Sequence, residues 1–165
     1  MKTDMIVKTG IFVALTVLLS YIFAIHTTFI HITFGFLSTA IFGILYGPMA
    51  AGIMAAIACF IGMSLFGQGV FFPGFIVSEF LVGYIYGYFL HGREVTLKKL
   101  LLPEMIVTVC IHLILNTLWL TIFYNKAVSA IFVGRLIKNI ICFPLEIALI
   151  LIVYKAVSKF MVQKK

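Results

Sequence analysis

Charge is what this chain has least of: of 165 residues only five are Asp or Glu, and charged residues of every kind make up 10%. A soluble domain carries about 25%, so the usual water-facing surface is missing. So few carboxylates leave acid–base catalysis thinly supported. Asp4 and Glu94 fall in short polar segments, Glu104 at the start of an apolar run, and only Glu79 and Glu146 lie well inside such runs. Cysteine is scarce too. Cys59, Cys110 and Cys142 sit in apolar stretches, and no C-x-x-C or Cys/His spacing points to a metal or redox centre. The chain has no G-x-x-x-x-G-K-[ST] loop for nucleotide phosphates, and no G-x-S-x-G or H-E-x-x-H motif for hydrolysis. We expect no enzyme, no cofactor and no metal, and any ATP-driven step must come from another chain.

What is abundant is apolar length. Hydrophobic residues make up 64%, and the mean hydropathy is +1.23. A helix needs about 20 apolar residues to cross a bilayer core about 30 Å thick, so five or six crossings would use nearly the whole chain. The expectation is a single membrane domain over 1–165, an all-α bundle of six transmembrane helices set in a lipid bilayer. The N-terminal run lacks a small-x-small cleavage site and reads as a retained first helix. The net charge of +7 then reflects orientation by the positive-inside rule and not nucleic-acid binding.

The runs fall at about 5–25, 34–46, 49–66, 75–90, 102–123 and 128–157. Between them lie the polar stretch His26–His31, the Gly47-Pro48 turn, the segment from Gly67 to Gly74, the charged loop 91–99 and the turn 124–126. In this plan nine of the 12 basic residues (Lys2, Lys8, Arg93, Lys98, Lys99, Lys155, Lys159, Lys164 and Lys165) share one side. Both termini are therefore expected to be cytoplasmic. Lys126 falls in an outer loop.

Arg135 and Lys138 fit neither aqueous side. They lie three apart near the start of the last run, on one helix face that Asn139 shares. A charge at this depth costs about 2.5–3.5 kcal/mol on insertion scales. Two readings stay open: the pair binds an anionic ligand, or Arg135 snorkels outward or pairs with an acid such as Glu79. On the same side lie Gln68, Phe71, Phe72, Asn116 and Trp119. Aromatic faces, two carboxamides and a cationic pair suit a flat heteroaromatic ligand with an acidic tail. Aromatics also collect at membrane interfaces for their own reasons. His112, inside the fifth run, reads as a satisfied core histidine. The pairs Gly10/Ala14, Gly43/Gly47 and Gly83/Gly87 are spaced for close helix approach, inside the bundle or against a partner.

Three segments carry a resemblance: Gly67-Gln68-Gly69-Val70-Phe71-Phe72-Pro73-Gly74-Phe75, Leu115-Asn116-Thr117-Leu118-Trp119-Leu120, and Arg135 to Pro144 with its R-x-x-K. Together with the Leu45-Tyr46-Gly47-Pro48 turn, they resemble the folate-specific substrate-binding subunits of energy-coupling factor (ECF) vitamin transporters, over essentially the whole chain. The resemblance implies a high-affinity folate-binding membrane subunit working with a transmembrane coupling protein and two cytosolic ATPases, and toppling in the membrane to release its vitamin. It implies a coupling surface on the first helix, usually Ala-x-x-x-Ala and here Gly10-Ile11-Phe12-Val13-Ala14. On this basis the pteridine is assigned to Gln68, Asn116, Phe72 and Trp119, with Phe71 capping. The ligand carboxylates go to Arg135 and Lys138, helped by His26 or Lys126. Gly67, Gly69, Pro73 and Gly74 are assigned to a gating loop. The alternatives are a subunit for thiamin, whose positive charge disfavours this cationic pair, one for neutral riboflavin, or a scaffold without ligand. Glu79, after Ser78, departs from the small or apolar residue expected there.

Overall fold

A computed structural model describes the backbone of residues 2–26, 31–66, 73–124 and 128–162, with side chains described within 3–24, 33–66, 73–119, 121–122 and 136–158. The chain is helical almost throughout. The first helix, α1 (Lys2–Val17), continues as a one-turn π-helix, π1 (Leu18–Ile22). A two-residue antiparallel ladder follows, β1 (Ile25–His26) against β2 (His31–Ile32), and is the only strand pairing among the described residues. Next come α2 (Gly35–Tyr46), α3 (Pro48–Phe66) and α4 (Pro73–Leu90). A long rod is built from α5 (Leu97–Ile106), the π-helix π2 (Val107–Leu115) and α6 (Asn116–Tyr124). The last helix, α7 (Val128–Val162), runs through Pro144 without a break.

Five of these helices are long and apolar enough to cross a bilayer; α2, with 12 residues, is shorter. At 1.5 Å per residue it spans about 18 Å. The outer faces are apolar: Ile6, Leu65, Ile140, Ile141 and Ile152 are all more than 60% exposed. In water such a surface would drive aggregation, whereas lipid solvates it. The chain is a multi-pass membrane protein.

With no aqueous phase to expel side chains, the helices are held by close packing, and glycine sets how close they come. A Cβ on Gly83 would strike the Ala51 carbonyl, one on Gly87 the Pro48 backbone, and one on Gly43 the backbone nitrogen of Gly87. These contacts weld α2, α3 and α4 together. The turn between α2 and α3 uses Gly47 at φ +89°, a conformation that favours glycine. The His91 ring, whose Nδ1 donates to the Ile44 carbonyl at 2.9 Å, closes this end of α4 onto α2. Around the weld lies a core of Ala40, Val82, Tyr86, Leu90, Leu100 and Ile150, which joins α2, α4, α5 and α7.

The structure corrects three expected boundaries. Pro73 and Gly74, expected in a gating loop, form the first turn of α4. Proline at a helix start loses no hydrogen bond, because its missing N–H has no partner there anyway. Leu97 to Lys99, expected in a polar loop, begin α5: Thr96 accepts from the Lys99 and Leu100 amides. Glu104, placed at a loop-facing helix start, is fully buried, and the Tyr86 hydroxyl donates to its Oε2 at 2.7 Å.

Candidate functional site

The half of the bundle on the side of the 67–72 connection holds a group of buried polar side chains that the packing itself does not explain. Ser78, one turn into α4, is completely buried and accepts from Trp119 Nε1 at 3.2 Å, which ties α6 to α4. One turn back along the rod, Asn116 is 8% exposed. Its Nδ2 meets His112 Nδ1 at 3.4 Å, while its Oδ1 has no partner among the described residues. Thr117 Oγ1 beside it and Asn139 Nδ2 on α7 are buried and unpartnered in the same way. Each unpaired buried polar group costs about 1–3 kcal/mol, so several in one bundle mark a place where something else supplies the missing partners. Donors and acceptors are both present, and an oriented polar ligand could satisfy both.

The backbone contributes to this site. At the junction of π2 and α6 the Asn116 amide bonds to the Ile111 carbonyl, five residues back, where an α-helix would use the fourth. π-Helical turns are rare, and those that occur are frequently at functional sites. The wider turn displaces the side chains that follow it and brings Asn116 and Thr117 to the buried face.

Charge enters from α7. Lys138 is half-buried and within electrostatic reach of Glu79 on α4. Glu79, the acid expected near Arg135, lies within reach of Lys138 three residues on; the Arg135 side chain is outside the described set. Tyr21 and Phe66, stacked with ring centroids 5.5 Å apart, supply an aromatic wall between π1 and α3. Tyr21 packs so closely over Gly62 that a side chain there would overlap its ring.

Of the residues expected from sequence, the structure brings Asn116, Trp119 and Lys138 to the same half of the bundle. His26 lies in β1 and Arg135 in α7, with side chains outside the described set; Gln68, Phe71, Phe72, Lys126, Gly67 and Gly69 lie outside the described residues altogether. Sequence reasoning did not single out Ser78 as a hydrogen-bond partner or His112 as a neighbour of Asn116. The spacing of 112 and 116 was a usable signal for the second; nothing in the sequence pairs 78 with 119.

A second feature lies on the outside of α1. Gly10 and Ala14 are both exposed, and a Cβ on Gly10 would meet nothing within 4 Å. They floor an apolar groove of about 1050 Å³ between α1 and α3, walled by Met5, Ile6, Ile57 and Leu65.

Comparison with known proteins gives these features a context. The chain matches the family model of the ECF transporter substrate-specific component over residues 4–154. It is 36% identical to the folate transporter FolT of Clostridium novyi (strain NT) over 164 residues, which is 99% of this chain and 95% of that one. It is 27% identical to the folate transporter FolT of Leuconostoc mesenteroides over 156 residues, 90% of this chain and 83% of the other. Among solved structures it is similar to a crystal structure of FolT bound with folic acid, at 41% identity and a TM-score of 0.84, covering 90% of this chain and 89% of that one.

Proposed function

Since this chain belongs to the substrate-specific components of ECF transporters, we propose that it is the folate-binding membrane subunit of such a transporter. One observation carries the choice of ligand: the likeness in sequence and fold to a FolT that holds folic acid extends over nine-tenths of the chain. The site supports it chemically. Folate combines a pterin rich in N–H donors and ring acceptors with a flat benzoyl group and a glutamate tail bearing two carboxylates. Asn116 Oδ1 and Asn139 Nδ2 offer the missing acceptor and donor. Trp119, held by Ser78, offers an aromatic face.

In this reading the chain crosses the membrane six times, with α2 as a short second crossing. Both termini are cytoplasmic and the 67–72 connection faces outside. Gln68 and Phe72 join Asn116 and Trp119 around the pterin, with Phe71 above. Arg135 and Lys138, helped by His26 or Lys126, hold the tail; Lys138 exchanges part of its interaction with Glu79 for a ligand carboxylate. Gly67 and Gly69 let the connection open and close over the site, hinged on the helix start at Pro73 and Gly74. The groove at Gly10 and Ala14 takes a helix of the transmembrane coupling protein, which connects the subunit to two cytosolic ATPases. What supports that docking place is that Gly10 is not required by any contact among the described residues.

Trp119 is the only tryptophan in the chain, so its fluorescence reports on this site alone. We expect saturable quenching by folic acid in detergent, and a pterin absorption spectrum and matching mass in whatever denaturation releases from the purified protein. Arg135→Ala and Lys138→Ala should weaken folic acid while leaving 6-hydroxymethylpterin, which has the ring but no carboxylate, unchanged. No pterin released and no quenching would overturn the ligand assignment; equal losses for both ligands would overturn the tail assignment.

A further inference from the structure

His112 and Asn116 stand one turn apart on the rod that crosses the proposed site, and their contact has a direction. A carboxamide has a donor end and an acceptor end of nearly the same shape, and its neighbours decide which end faces where. Here the Nδ2 end meets the imidazole Nδ1 at 3.4 Å. In this orientation the amide N–H donates, which makes Nδ1 the acceptor and requires the ring proton on Nε2. The opposite end, Oδ1, is then the part of Asn116 that is buried without a partner among the described residues. Because four residues make almost one full turn of a π-helix, the wide register at Ile111 and Asn116 keeps the two side chains in one row.

We propose that His112 is a positioning residue of the ligand site: it holds the Asn116 carboxamide by its Nδ2 end, so that the site presents an acceptor, Oδ1, to the ring N3–H of the pterin. The inference rests on the folate reading above and adds to it a determinant of selectivity. Folic acid carries a proton on N3 and an oxo group at position 4. Its 4-amino analogue has a lone pair on N3, which repels a fixed acceptor. A carboxamide free to rotate would turn Nδ2 toward that lone pair and accept either ligand. His112 thus makes the site read the protonation pattern of the ring, as a buried polar group can when it would otherwise be left unpaired.

The test measures affinities for folic acid and for its 4-amino analogue by Trp119 quenching. In the wild type folic acid binds at least about tenfold more tightly than the analogue, the size expected for one misplaced buried hydrogen bond. His112→Phe keeps a ring but no acceptor; the preference falls to about two- to threefold or less. His112→Asn, whose Oδ1 falls near the position of Nδ1, restores the preference, whereas His112→Gln, with its oxygen one bond further out, does not. These two polar variants keep the test decisive if the Phe variant fails to fold. Combined with Asn116→Ala, His112→Phe adds no further loss of folic acid affinity, since it acts through that amide. A wild-type preference retained in His112→Phe and His112→Gln, or losses that add in the double variant, would overturn the inference. If the wild type itself binds no folic acid, the ligand reading fails first and this inference with it.

Discussion

Gly10–Ala14 on α1 and Gly83–Gly87 on α4 are two pairs of small residues four apart, and their spacing by itself does not separate them. In the fold they do opposite things. Gly83 and Gly87 lie against the backbones of Ala51 and Pro48, with no room for another atom, while Gly10 faces open space at the floor of an apolar groove. The α4 pair is used up in holding this chain together. The α1 pair is left over, and its spacing suits the coupling helix proposed for it above. A small-residue motif therefore marks a surface that permits close approach, and the motif alone does not say whose helix approaches.

The largest effect should come from filling the closed pair. Gly87→Val and Gly83→Val put side-chain atoms onto backbone that cannot yield, and should cost about 3 kcal/mol, the upper part of the range for overpacking. Thermal unfolding in detergent would show it as a clear drop in apparent midpoint, with folic acid binding lost along with the fold. An unchanged midpoint would mean that α3 and α4 are not welded as described. Filling the open pair should do the reverse. Gly10→Leu should leave the midpoint and the folic acid affinity within about twofold of wild type, since no atom of the described residues occupies that space. Uptake by the assembled transporter, measured with labelled folate, should fall at least about tenfold. Full uptake in this variant would remove the groove as a docking place. The smallest effect comes from a contact remote from both pairs. Tyr86→Phe removes the hydroxyl that donates to Glu104 and should lower stability by about 1–2 kcal/mol. Folic acid affinity should be unchanged, because the Tyr86–Glu104 contact lies toward the other end of α4 from Ser78.

How much of the site could be read in advance depended on the kind of signal. Asn116 stood out because a carboxamide in an apolar run must find a partner, and the structure shows one end partnered and the other not. Lys138 stood out by its depth. Glu79 stood out as an acid for this pair of cations, but the sequence does not say which of them it serves, because it lies on another helix 59 residues from Lys138. Glu104 was misplaced for a related reason. Its short distance from the charged loop hid the fact that α5 begins a turn earlier and turns that carboxylate inward onto Tyr86. Pro73 and Gly74 read as loop because both residues are common in turns, yet proline fits equally well at the first position of a helix.

Composition and the run of apolar segments determined by themselves that this chain lives in a bilayer as a helical bundle, and roughly where each helix starts and stops. These follow from the energy of burying backbone and charge in lipid, which depends on the local segment alone. Short motifs then pointed to the family. Only the tertiary structure decided which glycine pair is closed and which is open, that Glu79 comes within reach of Lys138, and that Asn116 is buried beside His112. Each of these depends on what a residue meets across a helix interface, and in a membrane that contact is set by shape and hydrogen bonding between helices, for which one strand of sequence carries no local signal.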